Sequence, residues 1–370
     1  MLSAAKRVYK KYIGSNSFEE NIVLISVVSI FLPYVISAFV IAATAIRAVF
    51  IKGIREKIFG YFEAKLLLVF AVLNIATPFV FKNYIGAGCF VGLCIILVYG
   101  LYIRSIITQS LFQKAADAIA FMSIVAAFAS TFIKDPSHDM RSPSFFFNPN
   151  YYGAAIAFVV ILTVYRLVTG GSNRIFLFIA LIANLYGLLQ SDSQSAMFSI
   201  VFGVCLMLFF LKKYKVLAAV AVAAVLVICL LPVMGFVLPR IDEAGNNLSI
   251  RATIWNAGIN GFLETPIFGR GLMGYMQIFE KFSGSPNFHC HNLFIDMLLS
   301  FGILGVIPLV IYVAYPLVAA RKSEYSPLVY SMLGAVLLHS LTDVTLIWIQ
   351  TGALAVLFLS ICYIRRNDCD

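Results

Sequence analysis

The side chains able to do chemistry fall in a few short clusters between long apolar runs. They are Asn148-Pro149-Asn150-Tyr151-Tyr152, Ser191-Asp192-Ser193-Gln194-Ser195, the arginines Arg251 and Arg270, His289 with His291-Asn292, and His339 with Asp343. Arginine binds phosphate or diphosphate well, because its charge is permanent and its N–H groups form a fork. Histidine accepts a proton near neutral pH. Together they suit attack on a phosphate ester of a lipid, with arginine neutralising the leaving group. Each group also has a plain structural reading. His291 could cap a helix, Arg251 and Arg270 could snorkel to lipid headgroups, and Asn150 and Tyr152 could be ordinary helix-entry residues. His339 and Asp343 would hydrogen-bond each other inside a bundle. His289-x-His291 has metal-ligand spacing, but the sequence offers no obvious third ligand, so no metal is expected.

The elements that must position these residues are set by composition. The chain has 370 residues, 61% hydrophobic and 12% charged, with mean hydropathy +0.94. Soluble domains carry roughly 25% charged residues. Apolar surface on this scale calls for a bilayer, and only helices and closed barrels satisfy their backbone there. The apolar runs are long and continuous rather than alternating, so helices are predicted. The whole chain, 1–370, reads as one all-α integral membrane domain. The net charge of +10 does not indicate nucleic acid, because the basic residues sit in short loops between apolar runs. The cysteines are scattered, several inside apolar runs (Cys89, Cys94, Cys205, Cys229), and read as small apolar fillers. Lys6, Arg7, Lys10 and Lys11 precede the first apolar run as in a signal peptide, but no convincing cleavage site follows, so a retained span is predicted.

Charge sets the topology. Basic residues flank the run 21–50 on both sides, so it is predicted to cross twice, as a hairpin turning at Pro33. Alternation then gives about 12 spans, near 18–33, 34–50, 65–81, 84–104, 114–133, 150–168, 175–190, 194–211, 215–234, 291–319, 327–341 and 346–364. Both termini are then cytoplasmic. Of 27 Lys and Arg residues, 20 lie inside and seven outside (Lys82, Lys134, Arg141, Arg240, Arg251, Arg270, Lys281). The polar clusters gather on the outer face. A long outer loop, 235–290, is predicted to carry an interfacial helix capped by Ser249, with Ile250, Ile254, Trp255, Gly258, Ile259 and Phe262 at helical spacing. Pro266 ends this helix and Gly269-Arg270-Gly271 follows as a flexible basic turn.

Four elements in order resemble the O-antigen ligase and polymerase family of bacterial envelope glycosyltransferases. They are Asn148-Pro149-Asn150 and Ser191-Asp192-Ser193-Gln194-Ser195-Ala196, each opening a span; Arg251-Ala252-Thr253-Ile254-Trp255 with Pro266-Ile267-Phe268-Gly269-Arg270-Gly271; and His291-Asn292-Leu293-Phe294 with Phe301-Gly302-Ile303-Leu304-Gly305. The resemblance implies a membrane bundle like the GT-C-like glycosyltransferases. It implies transfer of a glycan from an undecaprenyl diphosphate carrier to an acceptor hydroxyl outside the bacterial cytoplasmic membrane, the acceptor being a glycan or a lipid. It also implies His291 as the catalytic group and Arg251 as a diphosphate ligand; Arg270 is expected as a second diphosphate ligand, and Gln194, Asn150 and Asn292 as substrate support. No cofactor is implied, and a chain-length regulator is a candidate partner. One departure stands out. The family usually has an arginine inside the serine-rich turn, where this chain has Gln194, which cannot neutralise charge. The rival reading is a secondary transporter or flippase of lipid-linked glycans. Few ionisable residues fall mid-span and no internal repeat is evident, which disfavours it.

Overall fold

The computed structural model describes residues 14–170, 173–233 and 244–365. The basic cluster at 6–11, and residues 235–243 of the long loop with Arg240, lie outside the described residues. Fifteen α-helices occur among the described residues, and no strand. They are α1 (Phe18–Ser29), α2 (Tyr34–Phe50), α3 (Lys52–Phe59), α4 (Phe62–Asn74), α5 (Thr77–Val80), α6 (Tyr84–Ile106), α7 (Gln109–Ala129), α8 (Pro149–Thr169), α9 (Arg174–Ser191), α10 (Gln194–Phe210), α11 (Tyr214–Val233), α12 (Ala244–Glu264), α13 (Leu293–Ala320), α14 (Ser326–Ser340) and α15 (Ile349–Ser360).

The all-helical expectation holds, and α1 and α2 pack together around the turn at Pro33. Ser17 and Glu20 start α1 with a reciprocal capping box. Among the described residues, six helical segments have the length and composition to cross a membrane: Phe62–Val80, Tyr84–Ile106, Gln109–Ala129, Pro149–Thr169, Arg174–Ser191 and Leu293–Ala320. A seventh results if α2 and α3, bent by 89°, count as one span. The count of about twelve spans is not confirmed by these segments, and some of the other helices are short. α1 and α15 have 12 residues each, about 18 Å of helix, against a hydrocarbon core of about 30 Å.

α8 is the central mast. Its sequence is apolar all round, the pattern of a fully buried helix, and residues 151–162 are all buried. α9, α10, α14 and α15 pack against it. Small residues let the helices close in. A Cβ on Gly153 would lie 2.6 Å from the Ser193 side chain, which sets the start of α10 directly against the start of α8. On the other side α6 packs between α2 and α15, and α13 packs on α4 and α12.

The long loop folds on itself. Ile254, Ala257, Tyr275, Ile278, Cys290 and Leu299 form a small core of their own. Ile250 and Ile259 are exposed, so the predicted apolar face of α12 is split between this core and the surface. α12 begins at Ala244, so Ser249 lies within the helix rather than capping it. The turn after it is not flexible. The backbone N–H groups of Arg270 and Gly271 donate to the carbonyls of Leu299 (2.8 Å) and Ser300 (2.8 Å). The N–H groups of Ile303 and Leu304 donate to Pro266 (2.8 Å) and Ile267 (3.1 Å). α13 breaks at this point: Gly302 has φ 59° and ψ −174°, a conformation almost confined to glycine. The helix therefore consists of a first piece, 293–301, and a second piece, 303–320, of about 27 Å, with the 265–271 turn locked into the break.

Candidate functional site

Asp343 is the focus of the site. It lies in the turn between α14 and α15 and is 1% exposed. Its Oδ1 accepts from the Val344 backbone N–H at 2.8 Å and lies 3.2 Å from His291 Nδ1. Its Oδ2 accepts from the Asn150 side-chain amide at 2.7 Å. Asn150 is in turn held by Arg141, whose Nη2 donates to its Oδ1 at 2.5 Å. Burial favours the protonated form of Asp343, but the hydrogen bond from His291 and the nearby imidazoles outweigh it and hold the carboxyl well below its usual range. An ionised Asp343 fixes the Nδ1–H tautomer of His291 and leaves Nε2 as the basic nitrogen. Consistent with this, the Asn287 side-chain amide donates to His291 Nε2 at 2.7 Å.

His291 adopts a left-handed backbone, φ 47°, uncommon for a residue with a side chain. Neighbours fix it there. Trp255 Nε1 donates to its carbonyl (3.4 Å), and its N–H points at His289 Nδ1 (3.3 Å). Asn292 caps α13, accepting from Phe294 and Ile295 N–H, and ties this end to the 341–345 turn through Leu341 O at 3.1 Å. The ring of His291 is partly exposed, at 22%, so a substrate can reach it. His289 is buried, and its Nε2 is 3.2 Å from the Tyr151 hydroxyl. Burial and the adjoining His291 push His289 down to about 4, so it is neutral at physiological pH.

Several site residues named from the sequence thus converge. His291, Asn150 and Asn292 meet around Asp343. Gln194 sits in the first turn of α10, between Ser193, which packs on α8, and Ser195, whose hydroxyl is 2.7 Å from that of Thr342. Arg251 lies one turn before Trp255 on the same face of α12, and its charge acts on His339. Arg270 is held elsewhere. Its guanidinium pairs with Glu264 at 2.6 Å and lies 4.8 Å from the centre of the Phe81 ring. Its backbone is anchored at Leu299, seven residues (about 10 Å) along α13 from Asn292.

Two expectations are corrected. Asp343 does not pair with the His339 ring, whose nitrogens have no hydrogen-bond partner among the described residues. α14 ends at Ser340, so Asp343 has turned away toward His291. A third metal-ligand donor also exists. His289, His291 and Asp343 place three donor atoms within 4.8 Å of one another, compatible in type with a divalent ion. Sequence reading had not placed Arg141 and Asn287 in the site. One signal for Asp343 was available: it is the only acidic residue between Glu324 and Asp368, and a lone carboxylate in an apolar stretch marks function.

An all-helical bundle with membrane-crossing helices and a polar cluster at one end defines a polytopic membrane protein with a site at the end of its bundle. Residues 179–310, about a third of the chain, match the family model described as O-antigen ligase, and this match supports the O-antigen ligase/polymerase family. A comparison with curated proteins finds no match. The apolar helices are long enough to cross a membrane, and the matched third of the chain is similar to the O-antigen ligase family. The matched stretch holds the serine turn, Arg251, Arg270 and His291; Asn150 and Asp343 lie outside it.

Proposed function

We propose that the protein transfers or polymerises a glycan from an undecaprenyl diphosphate carrier onto an acceptor hydroxyl, outside the cytoplasmic membrane. The observation that carries this reading is the pairing of Asp343 with the partly exposed ring of His291, whose basic Nε2 is held by the Asn287 amide that an acceptor hydroxyl would displace. His291 Nε2 takes the proton of the acceptor hydroxyl, and the hydroxyl oxygen attacks the anomeric carbon of the donor sugar. The bond from that carbon to the diphosphate breaks, and the diphosphate leaves with the electron pair on the carrier lipid. Asp343 stabilises the imidazolium that forms. Arg251 is the candidate to neutralise the leaving diphosphate. Arg141 supplies a second permanent charge. Its Nε donates to Ser191 O at 2.9 Å, which brings a guanidinium to the serine-rich turn that carries Gln194. Arg270, engaged by Glu264, has a supporting part.

The reaction is proposed to be metal-independent. Both Asp343 oxygens and His289 Nε2 already have partners within the protein, which favours proton chemistry over ligation. Both termini are placed in the cytoplasm and the site on the outer face, in keeping with the distribution of basic residues.

The test is surface glycan in a deletion strain complemented with variants. His291→Ala and Arg251→Ala are expected to abolish surface glycan while the protein still inserts. Normal polymer from both variants would overturn the proposal. The strain itself separates the two reactions. Single repeat units left attached indicate a polymerase, and long chains left on the carrier indicate a ligase.

A further inference from the structure

His291 owes its place to both of its chain neighbours, and each is tied to the start of α13. On one side Asn292 caps the helix, its side chain accepting from the N–H groups of Phe294 and Ile295. On the other side the Cys290 backbone N–H donates to Oδ1 of Asp296 at 2.9 Å. Asp296 lies in the first turn of α13, and its own N–H donates to Asn292 O at 2.9 Å. A carboxylate there also meets the positive end of the helix dipole. Only His291 separates the two ties. The chain turns within that one residue, and His291 takes the left-handed backbone, φ 47°, that side chains disfavour.

Cys290 cannot give way. It is fully buried, and α12 closes on its sulfur, because a Cβ on Gly258 would lie 2.7 Å from Cys290 Sγ. Asp296 is as enclosed. It is 1% exposed, and its Oδ2 is buried with no hydrogen-bond partner among the described residues. A buried carboxyl with one oxygen unpartnered is costly. An apolar side chain would pack there at lower cost, so what Asp296 supplies is the acceptor for Cys290.

We propose, on the reading of His291 as the base, that Asp296 is a positioning residue: by fastening the Cys290 N–H it holds the His291 backbone so that the ring Nδ1 meets Asp343. It touches no substrate. Without it the Cys290 N–H loses its buried acceptor, the 289–291 segment relaxes toward an ordinary backbone, and the ring leaves Asp343. The rival role, a charge acting on His291 from a distance, is separated by two substitutions. Asp296→Asn keeps an oxygen in place without the charge. Asp296→Glu keeps the charge and moves the oxygens by one methylene.

The test uses the full-length protein in detergent, labelled with ¹⁵N on histidine alone, with His291→Gln to assign the signal. The ¹⁵N shifts report which ring nitrogen carries the proton. The wild-type protein is expected to carry it on Nδ1, whereas a free imidazole side chain favours Nε2. Asp296→Ala and Asp296→Glu are expected to lose the Nδ1–H form and to lower kcat about 10²-fold, the scale of a misplacement of about 1 Å, with acceptor KM unchanged. Asp296→Asn is expected to keep both near the wild-type level. Melting temperatures check the fold, and if the alanine variant does not fold, Glu against Asn decides. Retention of the Nδ1–H form in Asp296→Glu, or its loss in Asp296→Asn, would overturn the assignment. Loss of that form in Asp296→Glu with transfer unchanged would uphold the hold of Asp296 on the ring and overturn His291 as the base instead.

Discussion

Asp343 and His291 are each ordinary residues made useful by their neighbours. The carboxylate is buried, and the amide of Asn150 and the backbone N–H of Val344 orient it, while Arg141 steadies the amide. Asp343→Asn keeps the shape but replaces an acceptor with a group that no longer stabilises imidazolium. Turnover should fall about 10²–10⁴-fold with little change in acceptor KM, as read from single-turnover transfer by purified protein. Metal removal gives the opposite kind of check. Treatment with a strong chelator should leave transfer intact, and a loss reversed by zinc would reassign His289, His291 and Asp343 as ligands. His289 has a stability signature. It stays neutral down to about pH 4, whereas a histidine in the unfolded chain titrates near 6.5. The unfolded chain therefore binds the extra proton between these values, and the stability present above pH 6.5 is lost as pH falls toward 4. The loss should be on the order of 3 kcal/mol, seen as a falling melting temperature that His289→Gln flattens. The residue types of this site were legible in the sequence, but their pairing was not. His339 and Asp343 are four apart, which suggests helical neighbours, and the helix ends between them at Ser340.

At the scale of elements, the apolar runs gave the helices, because burial against lipid or against other helices imposes a continuous pattern. Their ends were less legible. The twelve predicted spans treat every apolar run as a full crossing, while several runs form helices too short to cross alone. The 265–271 turn shows another limit. Two glycines around an arginine suggest looseness, yet the turn is held by backbone hydrogen bonds to residues about 30 positions later, a pairing that side-chain pattern does not encode. Gly302 carries the strain of that joint. A Cβ there would lie 2.3 Å from Ile267 O, on a backbone that alanine rarely adopts. Gly302→Ala is expected to destabilise the protein by about 2–4 kcal/mol, with a lower melting temperature in detergent. Gly92→Ala, where a Cβ meets nothing within 4 Å, should leave the melting temperature unchanged or slightly raised.

For the whole molecule, α8 sets the geometry. It holds the His291–Asp343 cluster near one end and Arg166 near the other, about 24 Å apart along the helix, so the two ends are expected on different sides of the membrane. In a variant with the native cysteines replaced, an impermeant thiol reagent added to whole cells should label Ser285→Cys and spare Ser110→Cys until the membrane is opened. Labelling of both from one side would overturn the orientation. The charge distribution is the ground on which the sequence leads one to expect this orientation, since basic loops respond to the membrane potential and lipid charge rather than the details of packing, and the labelling tests it. The joint at Gly302 has a consequence for how such a protein can diversify. The outer cap is fastened to the span by main-chain bonds, which are indifferent to side-chain identity. Drift can therefore rewrite the cap's surface, while the fastening needs only its glycines to persist.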